Sequence, residues 1–168
     1  MPRVGLEIVS EGPTHCFAGV GNVLVSLYWA APTAAALRER VGWVERVIEK
    51  HGQLGLLVVV SNDASGALPG KEFRAESRAQ AERYSGKILF SATVIEGKAV
   101  HDSLARTFLR GLAVVVARDV PVRFFNEPEP AIAWAADRAA TYGGPTPAEI
   151  ERTLRALRLR RENPPLVP

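Results

Sequence analysis

Residues 54 to 61 read Leu-Gly-Leu-Leu-Val-Val-Val-Ser, and no other stretch constrains the fold of this chain as tightly. Eight residues are few for a buried helix, and three consecutive valines favour an extended backbone. Polar and apolar residues do not alternate, so both faces of the strand are expected to be covered. That is the pattern of a central strand in a sheet with helices packed on it. Asn62 to Gly70 follow as a loop of turn formers at the strand's carboxyl end, where open α/β sheets present their ligand sites. The loop is therefore the first candidate working surface, with Asp63, Ser65 and Gly66 in it and Lys71 and Arg74 just beyond.

The remaining elements fall into place around this strand. Val4 to Val9, Thr14 to Ala18 and Val23 to Trp29 read as three strands joined by short turns, an antiparallel meander. Pro32-Thr33 opens a helix whose Leu37, Val41, Val44 and Ile48 form one stripe, and His51-Gly52 closes it. Lys71 to Tyr84 has helical propensity but few large apolar groups, which predicts a loosely held, exposed helix. Lys87 to Ile95 is a strand, Lys98 to Ala117 a long helix, and Pro121 to Phe125 a short strand that its proline places at an edge. Asn126 is the expected cap of the helix that follows, with Glu129 three residues on. After Tyr142-Gly143-Gly144-Pro145, Thr146-Pro147-Ala148-Glu149 is a capping box with proline at the first helical position. It opens a closing helix with a narrow seam of Ile150, Leu154 and Leu157. The order is β-β-β-α-β-α-β-α-β-α with an appended carboxyl-terminal helix. This divides the chain into an α/β domain over 1–142 and a basic helix with a proline-rich tail over 143–168.

Charge and cysteine content narrow the classes of function. The net charge is +3, and residues 146 to 168 carry five arginines against three glutamates, which leaves the body close to neutral. A near-neutral body argues against nucleic acid as a partner. The single Cys16 excludes an internal disulfide and any multi-cysteine metal site, and its strand context predicts a buried, inert thiol. No signal-peptide core and no apolar run of membrane-spanning length is present, so a cytoplasmic location is expected.

Three stretches carry a family resemblance. Asn22-Val23-Leu24-Val25 leads through Thr33 into an Arg/Glu-rich helix, and the central strand ends in Asp63-Ala64-Ser65-Gly66. Val122-Arg123-Phe124-Phe125 then precedes Glu129-Pro130-Ala131-Ile132-Ala133-Trp134. Over residues 4 to 140 this resembles the STAS superfamily of anti-sigma-factor antagonists, in its SpoIIAA-like branch of small single-domain proteins. The resemblance implies a STAS-like mixed sheet and a non-enzymatic bacterial regulatory or protein-interaction module. In the antagonists a loop Asp-Ser-Ser/Thr-Gly carries a phosphorylated serine. Here Ala64 follows the aspartate, Ser65 is the one hydroxyl within the motif, and a plain structural turn is the competing reading.

Other constellations are weaker. His101-Asp102-Ser103 holds the residue types of a hydrolytic triad, but neighbours on a helix point about 100° apart and cannot form a relay. His15 and His51 offer no converging ligand set, and Gly19-x-Gly21 precedes a strand where a dinucleotide site needs a helix. No catalytic residue, metal or cofactor is therefore assigned. Tyr28, Trp29, Trp43, Phe73 and Tyr84 are either core or the lining of a small apolar pocket between the first helix and the loose one. The second reading makes the protein a carrier or sensor of a small lipid-like ligand. The closing helix has Arg152, Arg155, Arg158, Arg160 and Arg161 around its seam. It is expected to dock, on its own domain or as a homodimer contact, in preference to anionic lipid or RNA. A continuous apolar cavity of several hundred Å³ marks a carrier; a filled core with an exposed patch marks an interaction module.

Overall fold

The computed structural model describes residues 5–61, 69–96 and 120–164. The expected helix over 98–117 and the loop residues Asp63, Ser65 and Gly66 lie outside them. The described residues form a mixed α/β domain on a six-stranded sheet of order β1-β2-β3-β4-β5-β6. β1 (Glu7–Glu11), β2 (His15–Val20) and β3 (Val23–Tyr28) are an antiparallel meander. β3, β4 (Leu54–Val60), β5 (Ile88–Ile95) and β6 (Val122–Phe125) then run parallel, each hydrogen-bonded to the next. β4 is interior, with Leu57 and Val59 fully buried, and β6 is the edge that its proline suggests. The first strand departs from expectation. It runs to Glu11 rather than ending at Val9, and its register shifts between Ile8 and Ser10. Ser10 is drawn inside because its hydroxyl lies 2.7 Å from the ring of buried His15.

The helices are α1 (Ala34–Glu39), α2 (Val41–His51), α3 (Lys71–Arg83), α4 (Pro128–Ala140) and α5 (Pro147–Glu162). The single helix expected from Thr33 onward is two. Thr33 caps α1, its hydroxyl accepting from the Ala36 N–H at 3.3 Å, and the chain turns at Arg40. The stripe shifts with the break. Leu37, Trp43, Val44 and Val47 are buried, whereas Val41 and Ile48 are only partly so. α4 is capped by Glu127, not Asn126, with Pro128 in the first turn and no side-chain capping bond. Proline needs no N–H partner there, so a capping side chain has less to satisfy.

Each face of the sheet carries its own core. On one, Leu57, Val59, Phe90 and Val94 meet Ala131 and Ala135 of α4 and Ile150, Leu154 and Leu157 of α5. On the other, Phe17, Leu24, Tyr28 and Leu54 meet Ala36, Trp43, Val44 and Val47 of α1 and α2. Two glycines permit this packing. A Cβ at Gly55 would stand 2.2 Å from the Phe90 ring, and one at Gly19 would stand 2.4 Å from the Trp43 indole.

α5 is not a free appendage. Its capping box forms as expected, with Thr146 and Glu149 bonding reciprocally. Its seam is fully spent on the chain's own core, and it packs against β2, β3 and α4. The same seam is therefore not available for a homodimer contact. Four of its arginines also find partners within the chain. Arg158 pairs with Glu96, Arg160 Nε donates to Glu11 at 2.5 Å, Arg155 pairs with Glu151, and Arg161 stacks over Trp29.

Candidate functional site

Of the candidate site residues singled out from sequence, the described residues include only Lys71 and Arg74, both beyond the loop. Both are exposed on the first turns of α3, which follows Gly70 without a side-chain cap. The structure brings together a different site, a cleft of about 400 Å³ bounded by α3, the α1–α2 junction and the parallel half of the sheet.

The strand pleat explains the cleft's floor. Successive side chains point to opposite faces, so while Leu57, Val59, Phe90 and Val94 fill the core with α4 and α5, their neighbours Leu56, Val58, Ser91 and Thr93 face the cleft. Val122 and Phe124 of β6 extend the floor. Leu56 and Val58 are only partly buried, so the expectation that both faces of the central strand are fully covered holds for one face. α3 accounts for the gap. Phe73 is its one large apolar side chain, alanines sit at 75, 79 and 81, and Gln80 is its only buried residue. A helix with so little to insert cannot fill the space above the strands.

Of the five aromatics proposed from sequence, Tyr28, Phe73 and Tyr84 line the cleft and Trp29 and Trp43 do not. Trp43 lies over Gly19 in the second core. Trp29 donates its indole N–H to the Pro13 carbonyl at 2.8 Å and packs near α5.

A polar knot at one end of the cleft was not anticipated. Arg40, at the α1–α2 break, donates from Nε to Gln80 Oε1 at 3.0 Å. The Gln80 amide donates to the Leu37 carbonyl and to Glu76 Oε1, both at 2.9 Å. Glu76 in turn meets Arg38 at 3.3 Å. The amide orientation of Gln80 follows from this set, since Arg40 requires an acceptor and the Leu37 carbonyl a donor. No carboxylate among the described residues lies within ion-pairing distance of Arg40. Burial pushes its pKa down, opposed by Tyr28, Tyr84 and Glu76 nearby. Burial pushes the Tyr28 phenol up, with the Arg40 charge acting the other way, so this hydroxyl stays protonated. The one sequence signal for Gln80 is that a polar residue without charge interrupts the alanines of a sparse helix; nothing local marks Arg40.

A second polar cluster lies across β1, β2 and α1. Ser10 donates to Glu39, and its oxygen stands 2.7 Å from His15 Nε2. Because the hydroxyl proton points to Glu39, Nε2 must carry the proton shared with Ser10. Nδ1 then accepts from the Thr14 hydroxyl at 3.1 Å. This polarity is the reverse of a Ser-His-acid relay, in which histidine receives the serine proton. Cys16 is buried and its thiol is pushed up to about 11, chiefly by burial, as befits an inert thiol. Among the described residues no group of three His, Cys, Asp or Glu side chains could hold a metal ion, and no helix is long and apolar enough to cross a membrane. No protein-family profile, curated protein or solved structure matches the chain.

Proposed function

We propose that this protein is a non-enzymatic carrier or sensor of a small apolar ligand, held in the cleft between α3 and the sheet. The observation that carries this reading is the cleft itself. Its volume of about 400 Å³ lies within the range of small-molecule sites, and Tyr28, Leu56, Val58, Phe73, Val122 and Phe124 give it an apolar lining. A few polar groups, Arg40 and Gln80 foremost, stand at one end, the usual division of labour in such sites. The antiparallel start followed by parallel crossovers is compatible with a STAS-like topology, in which sensing and partner regulation are coupled in a cytoplasmic protein. On that reading the ligand would bias what the Asp63–Gly66 loop presents to a protein partner.

Titration calorimetry with decanol, a neutral apolar probe, tests the reading. Wild-type protein should bind saturably. Val58→Phe, which fills the floor of the cleft, should weaken binding at least tenfold while melting within a few degrees of wild type. Absence of saturable binding, or unchanged affinity in a folded Val58→Phe, would contradict it.

A further inference from the structure

The polar end of the cleft says which class of apolar molecule fits. We infer that the ligand is an amphipathic monocarboxylate, its head group on Arg40 and its hydrocarbon body over Leu56, Val58 and Phe124. This rests on the cleft being a ligand site and specifies its chemistry.

Arg40 lines the cleft partly buried, its charge flanked by Gln80, Glu76 and the Tyr28 and Tyr84 phenols on one side and open to the apolar cleft on the other. A guanidinium presents five N–H donors and no acceptor. Among the described residues only Nε is used, by Gln80, and no carboxylate pairs with the rest. A cation in such surroundings is costly unless an anion is supplied. Glu76 is near enough to favour the charge, but its oxygens bond Gln80 and Arg38 and it makes no ion pair with Arg40. Glu82 also borders the cleft, but it is exposed at the rim.

The Gln80 bond also fixes geometry. With Nε held, the two terminal nitrogens form the free fork, and a fork of this kind matches a carboxylate with two parallel hydrogen bonds. Gln80 is itself clamped by the Leu37 carbonyl and Glu76, so the guanidinium is oriented before a ligand arrives. Tyr28 is buried beside this charge and keeps its proton, which makes it a second donor at the same end.

Charge balance selects among anions. One guanidinium neutralises a single negative charge. A phosphate monoester near neutrality carries about 1.5 to 2 charges, which would leave the excess in an apolar cleft. The remaining volume suits the body of a medium-chain acid, since 400 Å³ admits about a dozen groups of water or methylene size.

Calorimetric titration of the full chain with decanoate, decanol and decyl phosphate at neutral pH tests this. Decanoate should bind at least tenfold more tightly than decanol. Arg40→Gln should erase that advantage and leave decanol affinity within about twofold, and Arg40→Lys should retain part of it. Equal affinities of decanoate and decanol for wild type would overturn the head-group assignment while leaving the cleft as a ligand site. So would an advantage that survives in Arg40→Gln. Tighter binding of decyl phosphate than of decanoate would overturn the choice of carboxylate. Failure of all three to bind would remove the cleft as a ligand site altogether. The wild-type comparison decides the matter even if Arg40→Gln does not fold.

Discussion

Leu157→Ala is the most informative single change for the architecture, because it separates a core helix from an appended one. Leu157 is 0% exposed in the core shared by α4, α5 and the sheet. The substitution deletes three carbons, about 2.4 kcal/mol at roughly 0.8 kcal/mol per buried methylene. The cavity left behind adds to this, and buried Leu→Ala changes span about 2–5 kcal/mol. A loss near 3 kcal/mol in a chain of this length lowers Tm by about 6–12 °C. Leu159→Ala supplies the control. It makes the same chemical change two residues away, where Leu159 is 54% exposed, and should cost under about 0.5 kcal/mol. Urea denaturation followed by circular dichroism reads both values, with the slopes compared to confirm a common unfolding reaction. Equal costs for the two variants, or a cost below about 1 kcal/mol for Leu157→Ala, would refute the placement of α5 in the core. The same reasoning applies to truncation: cutting after Gly144 removes Ile150, Leu154 and Leu157 from the core and should yield an aggregating or unfolded chain.

Three further outcomes follow from the packing and the electrostatics. Gly55→Ala should cost about 1–3 kcal/mol in a urea melt, because the new methyl group meets Phe90, which is itself held edge-on against Trp134 at 5.6 Å. Thr146→Ala removes the hydroxyl that caps α5 and should cost about 1 kcal/mol, with Thr146→Ser restoring most of it. Burial holds His15 below its ordinary pKa of about 6.5, so folding favours its neutral form. Its contribution is then complete above that value and lost as pH falls through the lower folded value. Melting temperatures between about pH 7 and pH 5 should decline, and His15→Gln should flatten most of the decline. His51, lowered by burial and by Lys50, leaves a residual slope. Glu11 is held below its ordinary value chiefly by its hydrogen bond to Arg160, so its contribution goes only in the more acidic window. A pH profile unchanged by His15→Gln would count against the buried neutral histidine.

Much of the sheet was legible because its signals are local. The run Leu54 to Val60 declares an interior strand by length and branching, and the Thr146–Glu149 capping box marks its helix start in four residues. What escaped depends on contacts distant in sequence. The break at Arg40 lies inside an unbroken helical period, and its partner Gln80 is 40 residues away. The seam of α5 was visible, but an apolar stripe reads the same whether it meets its own sheet or another subunit. The cleft was half legible. Tyr28, Phe73 and Tyr84 were placed there by proximity to the right elements. Trp43 follows the other alternative and is core, because its partner is the bare backbone of Gly19, a contact that no local sequence signal marks.

The most direct test of the central claim is to locate a bound ligand. In nuclear Overhauser spectra of labelled protein saturated with decanoate, the methylene protons should show cross-peaks to Leu56, Val58 and Phe73. The ligand's carboxyl end should perturb the Arg40 side-chain resonances. Cross-peaks confined to residues outside the cleft, or none at saturation, would contradict the assignment of this cleft as the ligand site.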